Sequence, residues 1–324
     1  IIDAPGLFDF AGGVSEALAA ADSAVIAVSG KSGLTTGAKQ SFQKARALKK
    51  AVAFFVGKLD SSHAHFYRVI SSLVANYGAV ICPVVIPYIE NDEVKSYIDL
   101  ITNKAYACDG LELKELRMPV SNEADEMRSM LLEAIATADD ALMEKYFAGE
   151  EFTPEEIIEG LKKGVTAGEI CPVFAGVQQT GAAVPLMVDT LLQILPSAAD
   201  AVCRFEDGEE KAFDENGENA LFVFKTIADP FVGKLSYFRV LSGKIKNDTR
   251  LINSRTGAEE RLSKIMWLKG GKQEDAGEII AGDIGSVSKL GNVLTGDTLS
   301  ASGKLAAAAV DFPAPTISVA VYPK

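Results

Sequence analysis

The sequence predicts two folds in succession: an α/β domain built on a mostly parallel sheet, and then a small antiparallel β-barrel. Two observations support this prediction. In the first part of the chain, continuous apolar strands alternate with helices, the order that produces a parallel, right-handed α/β sheet. From Ala220 the apolar period changes to two, and Asp-Pro, Ser-Gly, Gly-Gly and Gly-Asp pairs separate short strands, as in a barrel.

The composition limits the possible classes of protein. The 324 residues exceed one ordinary domain, and 48% hydrophobic with 23% charged residues is typical of globular chains. A net charge of −12 argues against a broad basic face, so DNA is not an expected partner. No signal peptide or membrane span is visible, and no membrane partner is expected. Because the chain starts inside an apolar run without a Met, its amino terminus is expected to be cut.

The cysteines and histidines favour a reduced, cytosolic chain over a disulfide or zinc framework. The four cysteines are far apart and form no C-x-x-C: Cys82, Cys108, Cys171 and Cys203. We therefore expect mostly buried thiols. His63 and His65 form H-x-H without a third ligand nearby, and we interpret them as a solvated pair at the start of a helix.

The first ten residues contain a turn that can serve a nucleotide phosphate. Asp3 leaves an apolar run predicted as a strand, and Gly6 follows three positions later. At the carboxyl end of a strand, Asp3 can hold Mg²⁺ through water, and Gly6 would let backbone N–H groups approach a γ-phosphate. The alternative is an ordinary D-x-P-G turn after a strand.

The other elements follow in order. Helices are predicted at 14–21, 37–48 and 184–195, and strands at 23–28 and 51–56. Between about 82 and 166 the rhythm breaks, which predicts an insertion with β-like runs at 84–87 and 97–101 and an acidic helical stretch at 123–147. Residues 164–170 are expected to return to the final strand. Residues 201–218 are a linker or an exposed hairpin, and barrel strands are predicted at 222–226, 235–240, 261–267 and 284–288. We interpret Phe231 and Trp267 as barrel core or partly exposed contacts, not as a nucleobase platform.

The string Ser29-Gly30-Lys31-Ser32 resembles the end of a Walker A loop, but its spacing does not fit. The motif G-x-x-x-x-G-K-[ST] requires glycine where Val25 stands, inside a predicted strand. We expect a loop at the same sheet edge without a phosphate-cradling role.

Two further loops are predicted at this edge. Asp60, in Gly57-Lys58-Leu59-Asp60, can accept hydrogen bonds from N1–H and the exocyclic amine of guanine, and the stem of Lys58 can pack over the base or ribose. The turn at Gly176-Val177 follows an apolar strand, and its N–H groups could cap the base oxygen. Each loop alone has the alternative of a plain strand-to-helix turn, but three in this order favour a nucleotide site.

At these residues the chain resembles an internal part of the translational GTPase elongation factor G, especially the elongation-factor-G-like paralogues. The resemblance spans essentially the whole sequence. It rests on six strings: 3–10 (DAPGLFDF), 57–60 (GKLD), 191–197 (LLQILPS), 228–235 (ADPFVGKL), 281–285 (AGDIG) and 312–320 (FPAPTISVA).

The resemblance implies a domain order and ligands. It implies a partial P-loop-type G domain at 1–200 with the insertion at about 82–166, a linker at 201–218, a β-barrel second domain at 219–311 and the start of a third domain at 312–324. It also implies GTP and Mg²⁺ as ligands, the ribosome as partner and a cytoplasmic location. The sequence does not give the oligomeric state, and a monomer is expected. The nucleotide-binding residues it implies are Asp3 (also the magnesium side), Ala4, Pro5, Gly6, Leu7, Gly57, Lys58, Leu59, Asp60, Gly176 and Val177.

The sequence departs from the family pattern in base recognition, in the orientation of the attacking water and in phosphate binding. Gly57 stands where the family has the asparagine of N-K-x-D, and losing such a hydrogen-bonding side chain costs about 1–3 kcal/mol. Leu7 stands where elongation factor G has the histidine that helps to orient the attacking water, so no catalytic residue is assigned. The P-loop and first switch precede Ile1 in the family, so this chain alone is expected to bind no GTP measurably and to be inactive.

Three functions remain open at this point. The first is a ribosome-stimulated GTPase acting in translocation or a related step. The second is a ribosome-binding paralogue with slow or no hydrolysis, which Leu7 and Gly57 both favour. The third is a tetracycline-type ribosomal protection factor, which shares the first two domains.

Overall fold

The computed structural model describes residues 1–229, 233–315 and 317–323. The chain divides into two compact units: a sheet unit of residues 23–196, and a barrel unit of residues 1–22 together with 197–324. The interpretation of Phe231 lies outside the described residues. By packing, residues 1–22 group with the barrel, whereas the sequence placed them within 1–200; the predicted domain boundaries stay predictions.

The helices, in chain order, are α1 (Ala11–Ala20), α2 (Thr36–Ala47), α3 (Phe66–Tyr77), α4 (Asn122–Thr137), α5 (Asp140–Ala148), α6 (Pro154–Ala167) and α7 (Val184–Ile194). The strands are β1 (Ser23–Ser29), β2 (Ala51–Gly57), β3 (Ile81–Glu90), β4 (Glu93–Asp99), β5 (Lys104–Asp109), β6 (Glu112–Leu116), β7 (Cys171–Ala175), β8 (Val202–Arg204), β9 (Glu210–Ala212), β10 (Ala220–Asp229), β11 (Gly233–Ser242), β12 (Lys244–Lys246), β13 (Thr249–Asn253), β14 (Glu259–Leu262), β15 (Ile265–Lys269), β16 (Lys272–Asp275), β17 (Glu278–Ile280), β18 (Ile284–Ser288) and β19 (Thr298–Ser300).

The sheet unit contains a seven-stranded mixed sheet in the order β1-β2-β7-β3-β4-β5-β6. The pairs β1–β2, β2–β7 and β7–β3 are parallel, which confirms the α/β fold class predicted from the alternating strands and helices. From β3 to β6 the pairing is antiparallel. The predicted insertion therefore extends the same sheet as a meander. Its core includes Phe54 of β2 and Phe174 of β7, neither of which is exposed to solvent.

Two local predictions in the sheet unit were incomplete. The acidic stretch at 123–147 is two helices, α4 and α5, because Asp139 caps a new helix by accepting from the N–H groups of Ala141 and Leu142. The predicted return to the final strand at 164–170 holds in order, because β7 follows directly, but the helix in this segment was not predicted. Residues up to Ala167 belong to α6, and β7 begins only at Cys171.

The expected strand before Asp3 is also absent. Ile1 and Ile2 are exposed and pair with no strand that the structure describes.

The barrel unit contains an eight-stranded antiparallel sheet in the order β14-β13-β19-β10-β11-β18-β15-β16, and a separate pair β12–β17. Alternate residues of β10 face two hydrophobic clusters, as the period of two predicts. Leu221 and Val223 pack with Phe238 and Val240 inside, while Phe222 and Phe224 pack on the other side with Ala20 of α1. The small antiparallel barrel predicted from the sequence is confirmed. The predicted strand at 261–267 is divided between β14 and β15.

Arg239 of β11 joins α1 to the sheet within the barrel unit. Its guanidinium donates to both carboxylate oxygens of Asp22, at 2.7 and 2.6 Å, and to the carbonyl of Ala20 at 3.0 Å. The guanidinium also lies over the ring of Phe213. Arg239 is only 5% exposed, so this pair fixes the end of α1 against β11.

Further features concern the cysteines, the segment 201–218, Trp267 and the lengths of the helices. Cys82, Cys171 and Cys203 are buried free thiols, and Cys108 is half-buried. Residues 201–218 contain the hairpin β8–β9. Trp267 is 37% exposed. No helix in the described part of the chain is long and apolar enough to cross a membrane.

Candidate functional site

Three loops of the sheet unit meet at the carboxyl edge of its parallel strands. They follow β1, β2 and β7, and the carboxyl ends of parallel strands share one edge. The N–H of Gly30 donates to the carbonyl of Gly57 at 2.8 Å. The N–H of Lys58 donates to Oε1 of Gln178 at 3.0 Å. The structure therefore brings together the two predicted loops at 57–60 and 176–177, with the loop after β1 beside them.

The loop after β2 presents Asp60 to solvent through an unusual backbone. Lys58 has a φ of +57°, in the left-handed region that side chains other than glycine rarely adopt. Leu59 is buried, whereas Lys58 and Asp60 on either side of it are exposed. Within the described part of the chain, the Asp60 carboxylate makes no hydrogen bond or ion pair. Its oxygens are therefore available as acceptors.

Gln178 is a site residue that the sequence reasoning missed. Its side chain comes from the loop after β7 and occupies the space beside Gly57, where a Cβ on residue 57 would lie 2.7 Å from Oε1. No local pattern marks it, because its partner Lys58 is 120 positions away. The only available signal was a glycine in one loop and a long amide side chain in the other.

The N–H groups of Gly176 and Val177, expected to cap the base oxygen, both donate within the protein. The Gly176 N–H donates to the carbonyl of Val56 at 3.1 Å, as part of the parallel ladder. The Val177 N–H donates to the carbonyl of Ala182 at 3.0 Å and closes the loop on itself. Both groups are thus used inside the protein. In the described chain, the first N–H after them without a protein acceptor is that of Gln178.

The meander β3–β6 contacts the loop after β7. The Cys108 thiol lies beside the backbone of Ala183, and the Leu111 side chain packs beside Gly181. Burial raises the pKa of the Cys108 thiol, although the backbone of Ala183 acts in the opposite direction. Burial also raises the pKa of Tyr97 on β4, with smaller contributions from Cys108 and Asp60. The predicted insertion therefore borders the candidate site.

The loop after β1 does not offer a phosphate cradle. The N–H groups of Lys31 and Ser32 both donate to Oγ of Ser29, each at 3.2 Å. Donors used in this way are not free for a phosphate, in agreement with the motif spacing that argued against a Walker A loop.

The predicted residues Asp3, Ala4, Pro5, Gly6 and Leu7 belong to the barrel unit. Asp3 is exposed, and Leu7 is 67% exposed at the start of a short 3₁₀ turn in which its carbonyl accepts from the Phe10 N–H. Their expected meeting with the loops at 57–60 and 176–177 stays a prediction.

The metal prediction rests on one carboxylate. In the described ranges, no group of three or more His, Cys, Asp and Glu side chains is placed to hold an ion. Asp3 can supply one ligand, which suits Mg²⁺ when nucleotide phosphates and water supply the others.

Comparison with known proteins gives matches along most of the chain. Residues 1–197 match the family described as Elongation factor Tu GTP binding domain, and residues 218–302 match Elongation factor G domain 2. Among solved structures, the crystal structure of ttk003000868 from Thermus thermophilus is similar, with a TM-score of 0.78 and 29% sequence identity. The similarity covers 92% of this chain and 43% of that chain, so the sequence spans less than half the length of that protein.

Proposed function

This chain belongs to the translational GTPases of the elongation factor Tu and elongation factor G type, and on that premise we propose that it works in GTP binding and hydrolysis on the ribosome. The observation that carries the proposal is the edge of the sheet unit, where the exposed Asp60 and the bonded loops after β2 and β7 lie together. The match to Elongation factor G domain 2 supports a factor of the elongation factor G kind. The ribosome is the proposed partner, and a monomer in the cytoplasm is the proposed state.

Asp60 and Lys58 are the groups we propose for the base. A carboxylate with free oxygens can accept from both N1–H and the exocyclic amine of guanine, whereas adenine presents no such pair of donors. The exposed aliphatic stem of Lys58 can cover one face of the base or the ribose. The free acceptors of Asp60 therefore fit a guanine nucleotide.

Asp3 and Gly6 are proposed for the phosphate side. A nucleotide-bound Mg²⁺ neutralises phosphate charge, and Asp3 would contribute one carboxylate through water. Gly6 has nothing within 4 Å of a Cβ built on it, so its backbone is open to close approach. We propose no further role for Asp3 and Gly6.

A second candidate, a ribosome-binding protein with slow or no hydrolysis, is favoured by Leu7. A leucine side chain can neither donate nor accept a hydrogen bond, so it cannot orient an attacking water. Its 67% exposure shows that the side chain is not needed for the core of the barrel unit. The two candidate functions therefore differ in the rate of GTP hydrolysis.

The test is GTP turnover by the full-length protein, with and without ribosomes, for wild type, Leu7→His and the matched control Leu7→Ala. We expect slow ribosome-stimulated turnover in wild type and an increase of about a hundredfold in Leu7→His, since a positioned acid–base group contributes about 10²–10⁴. Leu7→Ala should match wild type. Wild-type turnover equal to that of Leu7→His would overturn the argument from leucine, and absence of GTP binding in wild type would overturn the proposed function.

A further inference from the structure

Gly57 and Gln178 form one arrangement across two loops. A Cβ built on Gly57 would lie 2.7 Å from Gln178 Oε1 and 3.0 Å from a ring carbon of Phe55. Any larger residue at position 57 would therefore displace the glutamine. Because Gly57 has no side chain, the amide of Gln178 can reach the N–H of Lys58.

The hydrogen bond to Lys58 fixes which end of the amide points away. A backbone N–H can only donate, so the atom that faces it must be the oxygen, and Nε2 is the opposite end. In the chain as described, Nε2 donates no hydrogen bond, and Gln178 is exposed. The site therefore presents an oriented pair of N–H donors to solvent beside Asp60's loop.

The same bond restrains a strained residue. A side chain at φ of +57° costs free energy, and such residues persist where their surroundings hold them. Lys58 is held by Gln178 on one side, and the buried side chain of Leu59 anchors the next residue. Lys58 is therefore both the strained residue and the residue that the Gln178 hydrogen bond restrains, and it lies two positions before Asp60.

We propose that Gln178 determines specificity for the purine base: its Oε1 positions the Lys58 backbone, and its Nε2 donates to the six-position oxygen of the base. This proposal rests on the proposed function. Guanine and hypoxanthine carry an acceptor at this position, whereas adenine carries an amino donor that would face the donors of Nε2. A donor placed here therefore favours guanine over adenine independently of Asp60, which recognises the two-position amine.

Two variants separate positioning from recognition. Gln178→Glu keeps an oxygen for the Lys58 N–H but replaces the Nε2 donor with an acceptor, whereas Gln178→Ala removes both. Gln179→Ala is the matched control, because Gln179 is the adjacent exposed glutamine. Affinities of the full-length protein for GDP, IDP and ADP provide the readout.

We expect Gln178→Glu and Gln178→Ala to lower the affinity for GDP and IDP about tenfold relative to ADP, the size of one lost hydrogen bond. In Gln178→Glu, which keeps the oxygen for the Lys58 N–H, the ratio of GDP to IDP affinity should stay at the wild-type value, and Gln179→Ala should change nothing. An equal loss for all three nucleotides, or no loss, would overturn the proposal while leaving the proposed function in place. Wild type that binds no guanine nucleotide would overturn both.

The proposed positioning of Lys58 by Gln178 can be tested without nucleotide. Amide hydrogen exchange at Lys58 should accelerate in Gln178→Ala and stay near the wild-type rate in Gln178→Glu. In addition, Gly57→Asn should weaken GDP binding more in the wild-type background than in Gln178→Ala, because the closer of the two contacts at this Cβ, with Gln178 Oε1, is then absent. Unchanged exchange in Gln178→Ala, or equal effects of Gly57→Asn in both backgrounds, would contradict the arrangement.

Discussion

At the scale of the residue, Asp60 is placed by the backbone that precedes it. β2 ends at Gly57, Lys58 turns into the left-handed region, and Leu59 buries its side chain, so Asp60 is left exposed at the sheet edge. Its carboxylate has no protein partner in the part of the chain that the structure describes. An unpartnered carboxylate at a strand end is suited to a ligand that supplies donors.

Replacing Asp60 with alanine is expected to abolish the preference for GDP over IDP. IDP lacks the exocyclic amine, and a hydrogen bond to a charged group is worth about 1.5–3 kcal/mol, or roughly ten- to a hundredfold in affinity. Asp125→Ala, on the exposed face of α4, is the control and should retain the wild-type preference. A full GDP preference in Asp60→Ala, measured by titration of the full-length protein, would remove Asp60 from base recognition.

Residues differ in how far the sequence can predict their role. The loop at 57–60 was found because its meaning lies in four consecutive positions after an apolar strand. Gln178 was not found, because its role depends on a contact across 120 positions and on a glycine that offers no side chain. Spacing alone also does not reveal whether the N–H groups of Gly176 and Val177 are free, because this depends on neighbouring strands and loops; both donate within the protein.

At the scale of the element, α6 depends on a cap that the sequence contains and the prediction overlooked. Thr153 accepts from the Glu156 N–H, and Glu156 accepts from the Thr153 N–H, which is a complete capping box before Pro154. Gly160 and Gly164 lie inside this helix. They are tolerated because α6 packs closely on α4, where a Cβ on Gly160 would lie 2.9 Å from Cβ of Ile135.

Thr153→Ala should lower the stability of α6 by about 1 kcal/mol, the usual cost of losing an N-cap oxygen. Amide hydrogen exchange in the first turns of α6 measures the loss. Thr153→Ser keeps the oxygen and should restore protection. If serine protects no better than alanine, the methyl group and not the hydroxyl is responsible.

A second element-scale prediction concerns the strand ends around Asp297. This carboxylate is 4% exposed and accepts from Arg255, Asn253 and the Leu294 N–H. Burial alone would raise its pKa, but the hydrogen bonds together hold the pKa below its ordinary value of 3.8. A depressed folded-state pKa contributes stability above the unfolded value, and that contribution is lost as the pH falls through the folded value.

The unfolding free energy of Asp297→Asn should therefore differ most from wild type at neutral pH, and the difference should shrink as the pH falls below 3.8. Denaturant unfolding followed by fluorescence of Trp267, the single tryptophan of the chain, reports on the barrel unit. Asp248→Asn, in an exposed pair with Arg261, is the control and should have a small effect throughout. A difference in unfolding free energy between wild type and Asp297→Asn that is constant with pH would contradict the lowered pKa of Asp297.

At the scale of the whole molecule, residues 1–324 contain the loops proposed for the base but no G-x-x-x-x-G-K-[ST] string. The N–H groups of Lys31 and Ser32 donate to Ser29 Oγ, so this loop does not substitute for a phosphate cradle.

The fold class and the order of the two folds could be predicted from the periodicity of the sequence, because periodicity is a property of long segments. The grouping of residues 1–22 with the barrel could not, because it depends on packing partners such as Arg239 with Asp22.

Isothermal titration of the 324-residue polypeptide with GTP and Mg²⁺ is expected to show no measurable binding. Most of the binding energy for a triphosphate comes from cradling N–H groups and a P-loop lysine. The full-length protein, titrated under the same conditions, is the comparison. Micromolar or tighter binding by the 324-residue polypeptide would show that the base-side and phosphate-side residues proposed above suffice.

The strand order of the sheet unit has a consequence for its synthesis. β7 is the last of the seven strands to be translated, yet it lies between β2 and β3. Until residues 171–175 emerge, β1–β2 and the meander β3–β6 are two half-sheets, each with an open inner edge. Closure is therefore expected as one late event, and because the loop carrying Gln178 follows β7, the site is assembled in the same moment that the two halves join.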